Sequence, residues 1–368
     1  MKNYLKFENE IKNIEAEIDK LKDPFNNEGI STVDTVKIDK LQSDLDIKLK
    51  KIYSNLDAWQ TTLVARHEER PKSKFFIENL FDNFFQLSGD RLFGEDKSSI
   101  AGLANFDGNS VMVIGQEKGD DLDSRIKRNF GMMRPEGYRK SIRLMKIADK
   151  FGLPVIMFVD TPGAYPGVGA EERGQAEAIA KSIECSLSLG VPNISIIIGE
   201  GGSGGAIALA SSNKILMFQN AIYSVISPEG CASILWRDPK KTLEAATAMK
   251  LTSKDLLELK IIDEIIMEPS GGAHRNKDEI LSKTREILVR NLDELTKMSR
   301  QEIIAHRKNK FLNIGRNQTI SNEKLSSDEL FSSSVTKIFD VKNKIKSKKV
   351  YILGIFFVIG ILFLFFQL

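Results

Sequence analysis

The chain has 368 residues, 42% of them hydrophobic and 28% charged, with a formal net charge of +3. That length allows one large domain or two ordinary ones, and so small a charge gives no ground for a nucleic-acid partner. Two cysteines, Cys185 and Cys231, are too few for a disulfide scaffold or a four-cysteine zinc site, which points to a reducing cytoplasm.

From Met1 the chain enters a charged amphipathic stretch rather than an apolar one, so no signal peptide is expected. Phe7, Ile11, Ile14, Ile18 and Leu21 repeat at steps of four and three. Ile38, Leu41, Leu45, Leu49, Ile52 and Leu56 do the same with one extra step of four. This spacing predicts two helices joined by a loop from Pro24 to Gly29, an N-terminal helical hairpin within an arm over 1–70. So narrow an apolar stripe suits packing rather than chemistry.

A second region covers 71–309. An amphipathic helix is predicted over 75–87. Strands over 99–106 and 110–115 flank Asp107-Gly108-Asn109, a hairpin signal, and a helix follows over 137–151. Two strand–glycine–helix units come next. The apolar run 153–159 leads into Asp160-Thr161-Pro162-Gly163-Ala164-Tyr165-Pro166-Gly167-Val168-Gly169, and 194–198 leads into Gly199-Glu200-Gly201-Gly202-Ser203-Gly204-Gly205. Short strands over 215–218 and 221–226 precede Ser227-Pro228-Glu229-Gly230, where Pro sits early in another helix as its missing N–H permits. Strand–helix alternation of this kind implies an α/β protein with a mainly parallel, right-handed core of ββα type. A long helix over 277–298 follows the loop Gly271-Gly272-Ala273-His274-Arg275-Asn276.

From about Lys310 the chain turns polar, a linker over 310–349, and then comes an uncharged run over 350–366. As a helix that run would reach roughly 25 Å, slightly short of a ~30 Å hydrocarbon core. Lys342, Lys344, Lys346, Lys348 and Lys349 precede it and would hold that end on the cytoplasmic side. It is read as a candidate membrane anchor for an otherwise cytoplasmic protein; the other reading is an appended extension without function.

Glycine lets backbone amides approach a ligand closely, and a helix N-terminus presents unpaired N–H groups. Two such turns on neighbouring strands suit an anion held by backbone. Three readings compete for the second. Gly199, Gly201 and Gly204 fit G-x-G-x-x-G, yet Phe218-Gln219-Asn220 lacks the carboxylate that a dinucleotide site needs about twenty positions on. Gly201-Gly202-Ser203-Gly204-Gly205 fits the G-x-S-x-G nucleophile elbow, which makes a serine hydrolase using Ser203 the main rival. Such an enzyme needs a histidine from among His67, His274 and His306. The third reading is an oxyanion cradle built on the amides of Gly204 and Gly205. The region carries no metal-ligand cluster, so no metal is expected.

Longer motifs carry a resemblance. Asp160 to Gln175, Ile198 to Ala206, Tyr223 to Trp236, Arg128-Asn129-Phe130-Gly131-Met132, Pro135 to Lys140 and Gly271 to Asn276 follow one another colinearly. In these the chain resembles the carboxyltransferase alpha-subunit family of multi-subunit acetyl-CoA carboxylase, over about Leu5 to Arg316. The resemblance implies a crotonase-like (ClpP/crotonase) fold of stacked ββα units, with the N-terminal helices as an arm. It implies an alpha2beta2 assembly whose beta subunit carries a zinc ribbon and most of the CoA contacts. The implied reaction moves a carboxyl group from carboxybiotin, on the biotin carboxyl carrier protein, to acetyl-CoA. Malonyl-CoA for fatty acid synthesis results, and ATP is consumed by a separate biotin carboxylase.

By motif, Gly204 and Gly205 would be catalytic, facing the ureido oxygen of carboxybiotin. Gly163, Ala164, Tyr165, Pro166 and Gly167 would form the biotin-side wall, with Gly201, Gly202 and Ser203 beside it. Arg173 and Glu171 are expected in an ion network at a helix start. Cys231 and Trp236 are expected in packing, and His274 and Arg275 in ordering their loop. The chain departs from the family at Gln116-Glu117-Lys118-Gly119-Asp120-Asp121, where a His and an Arg usually flank the Lys-Gly pair. The added acids put a CoA contact at Lys118 in question. They also keep alive a non-enzyme reading, an assembly factor that retained the fold and lost turnover.

Overall fold

The computed structural model describes residues 3–23 and 35–315. The predicted loop 24–29, the polar segment after 315 and the apolar run 350–366 lie outside the described residues. Among the described residues no helix is long and apolar enough to cross a membrane.

The first two helices, α1 (Asn9–Lys22) and α2 (Thr35–Tyr53), bury the predicted stripes. Ile11 and Ile18 pack with Leu45, Leu49 and Tyr53, and Val64 of α3 (Ala58–Ala65) joins them. The helix expected over 75–87 is instead α4 (Ser73–Leu80) followed by the strand β1 (Asp82–Gln86). Helical geometry ends at Phe81, whose backbone is already extended, and Asn83 beyond it takes a left-handed φ of +52°, which Asn tolerates better than most residues. Phe85 then pairs with Leu103, and Gln86 with Gly102, where a side chain would collide with the Phe85 carbonyl.

The hairpin of β2 (Ser99–Phe106) and β3 (Asn109–Gln116) turns on two residues, Asp107 and Gly108, both at positive φ. This is the primed geometry that matches strand twist, and it draws Asn109 into the strand opposite Phe106. After the short α5 (Leu122–Lys127), α6 (Pro135–Phe151) opens on Pro and closes on left-handed Gly152. Next come β4 (Val155–Thr161), α7 (Val168–Glu171), α8 (Gln175–Ser188), β5 (Asn193–Gly202) and α9 (Ser203–Ala210). β6 (Lys214–Phe218), β7 (Ile222–Ser224), α10 (Pro228–Leu235), α11 (Thr242–Met249), α12 (Ser253–Glu258) and β8 (Glu264–Ile266) follow. α13 (Lys277–Thr296) and α14 (Arg300–Asn313) end the described chain.

The sheet has the order β1-β2-β3-β4-β5-β6-β8, with β7 on the far end of β5. β1 to β3 are antiparallel, and β3 to β6 and β8 run parallel. β4 and β5 are buried along their whole length, as central parallel strands with covered faces must be. β7 is shorter than the predicted 221–226, because it meets β5 only at Glu200, Gly201 and Gly202.

The polar stretch from Lys310 begins inside α14 rather than after it. What holds that helix is Arg307, fully buried among the starts of β5 and β6. Its guanidinium donates to the carbonyls of Leu187, Leu189 and Val191 at 3.1, 2.7 and 3.0 Å. It also donates to the Oδ1 atoms of Asn193 and Asn213 at 2.9 and 2.6 Å. Those two asparagines bond each other's backbone N–H across the strand pair.

Candidate functional site

Both glycine turns lie at the C-terminal ends of adjacent parallel strands, the side on which open α/β sheets bind ligands. β5 runs straight through Gly202, and α9 begins at Ser203 with no loop between. That abrupt change sets Ser203 at φ +52°, a conformation costing a non-glycine residue about 1–2 kcal/mol. With Gly202 as N-cap, the N–H groups of Ser203, Gly204 and Gly205 have no acceptor within the helix.

The two turns touch. A Cβ on Gly205 would lie 2.5 Å from the Gly163 carbonyl carbon, and one on Gly202 would overlap the Pro162 carbonyl. Glycine is therefore required at both positions so that one turn's backbone can lie on the other's. Gly204 differs: a Cβ there would meet only Ile179, at 3.5 Å, which is ordinary contact. It is half-buried beside the exposed Ser203.

In the first turn, Tyr165 N–H donates to the Met133 carbonyl at 3.1 Å. The Tyr165 ring lies between the Arg134 guanidinium, 4.3 Å from its centroid, and Gly167. Ala164 and Gly167 are half-buried and Pro166 is exposed. The structure thus brings Gly163 together with Gly202, Ser203 and Gly205, while Tyr165, Pro166 and Gly167 extend the same edge outward.

Beneath the turns lies a charge frame that motif reasoning did not assemble. Asp160, at the end of β4, accepts from the Glu200 N–H at 2.9 Å and from Lys118 Nζ at 2.7 Å. Lys118 also faces Glu200 at 3.5 Å, and Arg66 pairs with Glu200 at 2.7 Å and Glu229 at 2.6 Å. Burial alone would lower the Lys118 ammonium and raise the Glu200 carboxyl. The opposite charges around them outweigh it, so Lys118 titrates above its usual range and Glu200 below. A cavity of about 230 Å3 opens here, lined by Arg66, His67, Lys118, Asp160, Pro162 and Glu200. Lys118 is thus committed to carboxylates of its own chain, and Asp120 pairs with Lys72. The acidic departure leaves the frame intact.

Other expectations resolve individually. Arg173 does pair at a helix start, but with Glu136 at 2.6 Å rather than with Glu171, which is exposed. Its ring neighbour is Phe93. Arg275 reaches Glu8 and Glu15, tying its loop to the N-terminal helices. His274 stacks on His67 with ring centroids 3.9 Å apart, and burial pushes it down to about 2. Cys231 packs with Ala232, Ala245 and Trp236.

These contacts remove the hydrolase geometry. His67 bonds Asn3 and the Glu69 N–H, His306 bonds Asn213, and His274 is stacked away, so no described histidine bonds Ser203. Among the described residues no group of three or more His, Cys, Asp or Glu could hold a metal ion.

Residues 4–315 match a family model described as acetyl co-enzyme A carboxylase carboxyltransferase-like. The chain is 69% identical over 350 residues, 95% of each chain, to the acetyl-coenzyme A carboxylase carboxyl transferase subunit alpha of Pelagibacter ubique. It is 55% identical over 319 residues to the protein of that name from Zymomonas mobilis, covering 86% of this chain and all of the relative. Among solved structures, transcarboxylase 12S superposes with a TM-score of 0.52 at 17% identity. The match covers 63% of this chain and 42% of that one, and it shows the expected crotonase-like α/β fold.

Proposed function

This chain belongs to the acetyl-CoA carboxylase carboxyltransferase alpha family, and from that premise we propose that it transfers a carboxyl group from carrier-bound carboxybiotin to acetyl-CoA. The product is malonyl-CoA for fatty acid synthesis. Its partners are a beta subunit, in an alpha2beta2 complex, and the biotin carboxyl carrier protein; zinc belongs to the beta subunit. Carboxybiotin supplies the carboxyl group and is left with negative charge on its ureido oxygen.

The amides of Gly204 and Gly205 receive that charge. They donate hydrogen bonds without giving up their protons and need no reorientation, so the stabilisation is in place before the bond breaks. Lys118 and Arg66 neutralise Asp160 and Glu200 close by, which would otherwise repel an anion. Gly163 to Gly167 form the wall beside it. Val168, Ile207 and Val225, 76%, 40% and 79% exposed around the turns, suit cover by a partner subunit.

The observation that carries this reading is Gly204. A side chain there would meet only Ile179 at ordinary contact distance, so the packing of the chain leaves that amide open to a ligand. Assayed with the beta subunit and carrier, Gly204→Val should cut carboxyl transfer about a hundredfold, the scale of one lost oxyanion contact. Ser203→Ala should stay within a few-fold. An unchanged rate in Gly204→Val would overturn the assignment, and abolition of transfer by Ser203→Ala would put the serine hydroxyl rather than the amides at its centre.

A further inference from the structure

Two buried carboxamides stand behind the glycine turns, one behind each, and meet on a single methionine. Gln116, the last residue of β3 and fully buried, donates from Nε2 to the Gly205 carbonyl at 2.7 Å and faces Met133 Sδ at 3.5 Å. Gln175, the first residue of α8 and 3% exposed, donates from Nε2 to the Met133 carbonyl at 2.9 Å and to the Tyr165 carbonyl at 3.0 Å. Tyr165 N–H closes the figure on that same Met133 carbonyl. Met133 is itself fully buried, its terminal methyl against Gly137 at the start of α6.

Both side chains are only half satisfied: the Oε1 atoms of Gln116 and Gln175 are buried without a partner. A carboxamide in that condition bears an uncompensated desolvation cost that a methionine of similar length would avoid. What each residue supplies that an apolar one cannot is its Nε2 donor. One donor fixes the first turn of α9, and the other fixes the turn that carries Tyr165.

We propose that Gln116 and Gln175 are positioning residues that set the two glycine turns against each other through Met133. They do not touch substrate. Their bonds hold the peptide planes of α9's first turn and of the Tyr165 turn in one relation, on which the aim of the Gly204 and Gly205 amides depends. The inference rests on the reading of those turns as the site of transfer.

The test uses the complex with the beta subunit and compares Gln116→Met, Gln175→Met and the double variant, which keep length and packing but lose the donor. Each single change should lower kcat about ten- to a hundredfold, the scale of a small misplacement, with KM for acetyl-CoA within about twofold. Amide hydrogen exchange should quicken at 162–167 and 203–206 and stay unchanged in α13 and α14. The double variant should lose no more than the worse single, because both donors act on one relation. Wild-type kcat and exchange in the single variants would overturn the proposal. So would uniformly faster exchange, which marks a merely structural role, or losses that multiply. A wild-type complex without transfer activity would sink the functional reading instead, and the exchange pattern would still decide this one.

Discussion

At the N-terminal ends of β5 and β6 a side-chain cation satisfies backbone carbonyls; at the C-terminal end of β5 side-chain cations satisfy carboxylates, beside N–H groups of α9 that have no acceptor in their own helix. Arg307 spends all of its donors on three carbonyls and two asparagine oxygens, without an acid among them. Lys118 and Arg66 do the reverse, matching Asp160 and Glu200 so that the first turn of α9 lies beside neutralised acids. One end of the sheet is closed by its own polar groups, the other is kept open. β5 is therefore anchored at one end and borders the glycine turns at the other, and the two ends should fail differently.

The largest effect is expected at the anchor. Arg307→Leu strands several buried acceptors and should cost about 4 kcal/mol of stability by urea unfolding, with transfer per folded molecule retained. If activity fell with no loss of stability, the division between the ends would be false. Lys118→Met, at the open end, leaves Asp160 and Glu200 facing each other and should cost about 3 kcal/mol while also lowering kcat. A change in stability alone would mean that the charge frame does not reach the turns.

A pH test comes next. His274 sits at the open end, pushed by burial and by neighbouring His67, Arg70, Arg275 and Lys277 to about 2 in the folded protein. The unfolded ring titrates near 6.5, so the stability contributed by the neutral ring is complete above that pH and is lost as pH falls below it. Between pH 7.5 and 5.0 the loss should reach about 2 kcal/mol, and His274→Gln should remove that part of the slope. The smallest effect has the opposite sign: Ser203→Gly relieves the left-handed φ and should add about 1 kcal/mol. A destabilised Ser203→Gly would mean that the strand-to-helix corner is not strained.

Much of this was legible in residue order, and the remainder for physical reasons was not. Periodicity found the N-terminal pair of helices because one face alone is buried, and Asp107-Gly108 marked its hairpin because few residues accept two positive φ values in succession. The helix over 75–87 failed because Phe84 and Phe85 fit either period, and only pairing with Gly102 selects the strand. The glycine turns were visible as motifs, yet which glycine serves packing and which faces outward depends on the approach of Pro162 and Gly163, some forty residues earlier. Asp160 and Glu200 were read as parts of their motifs, but the partners Lys118 and Arg66 come from elsewhere. Gln175 stood in a quoted motif and Gln116 in a departure from one, with nothing local to connect them.

The Arg307 anchor also has a bearing on synthesis. The oxygen of Asn213 that it binds emerges 94 residues before the arginine does. At ordinary translation rates of about 5–20 residues per second, the starts of β5 and β6 wait roughly 5 to 20 s for their cation. During that interval the nascent sheet carries unmet acceptors at one border, a stage at which a ribosome-bound chaperone would find this polypeptide most receptive.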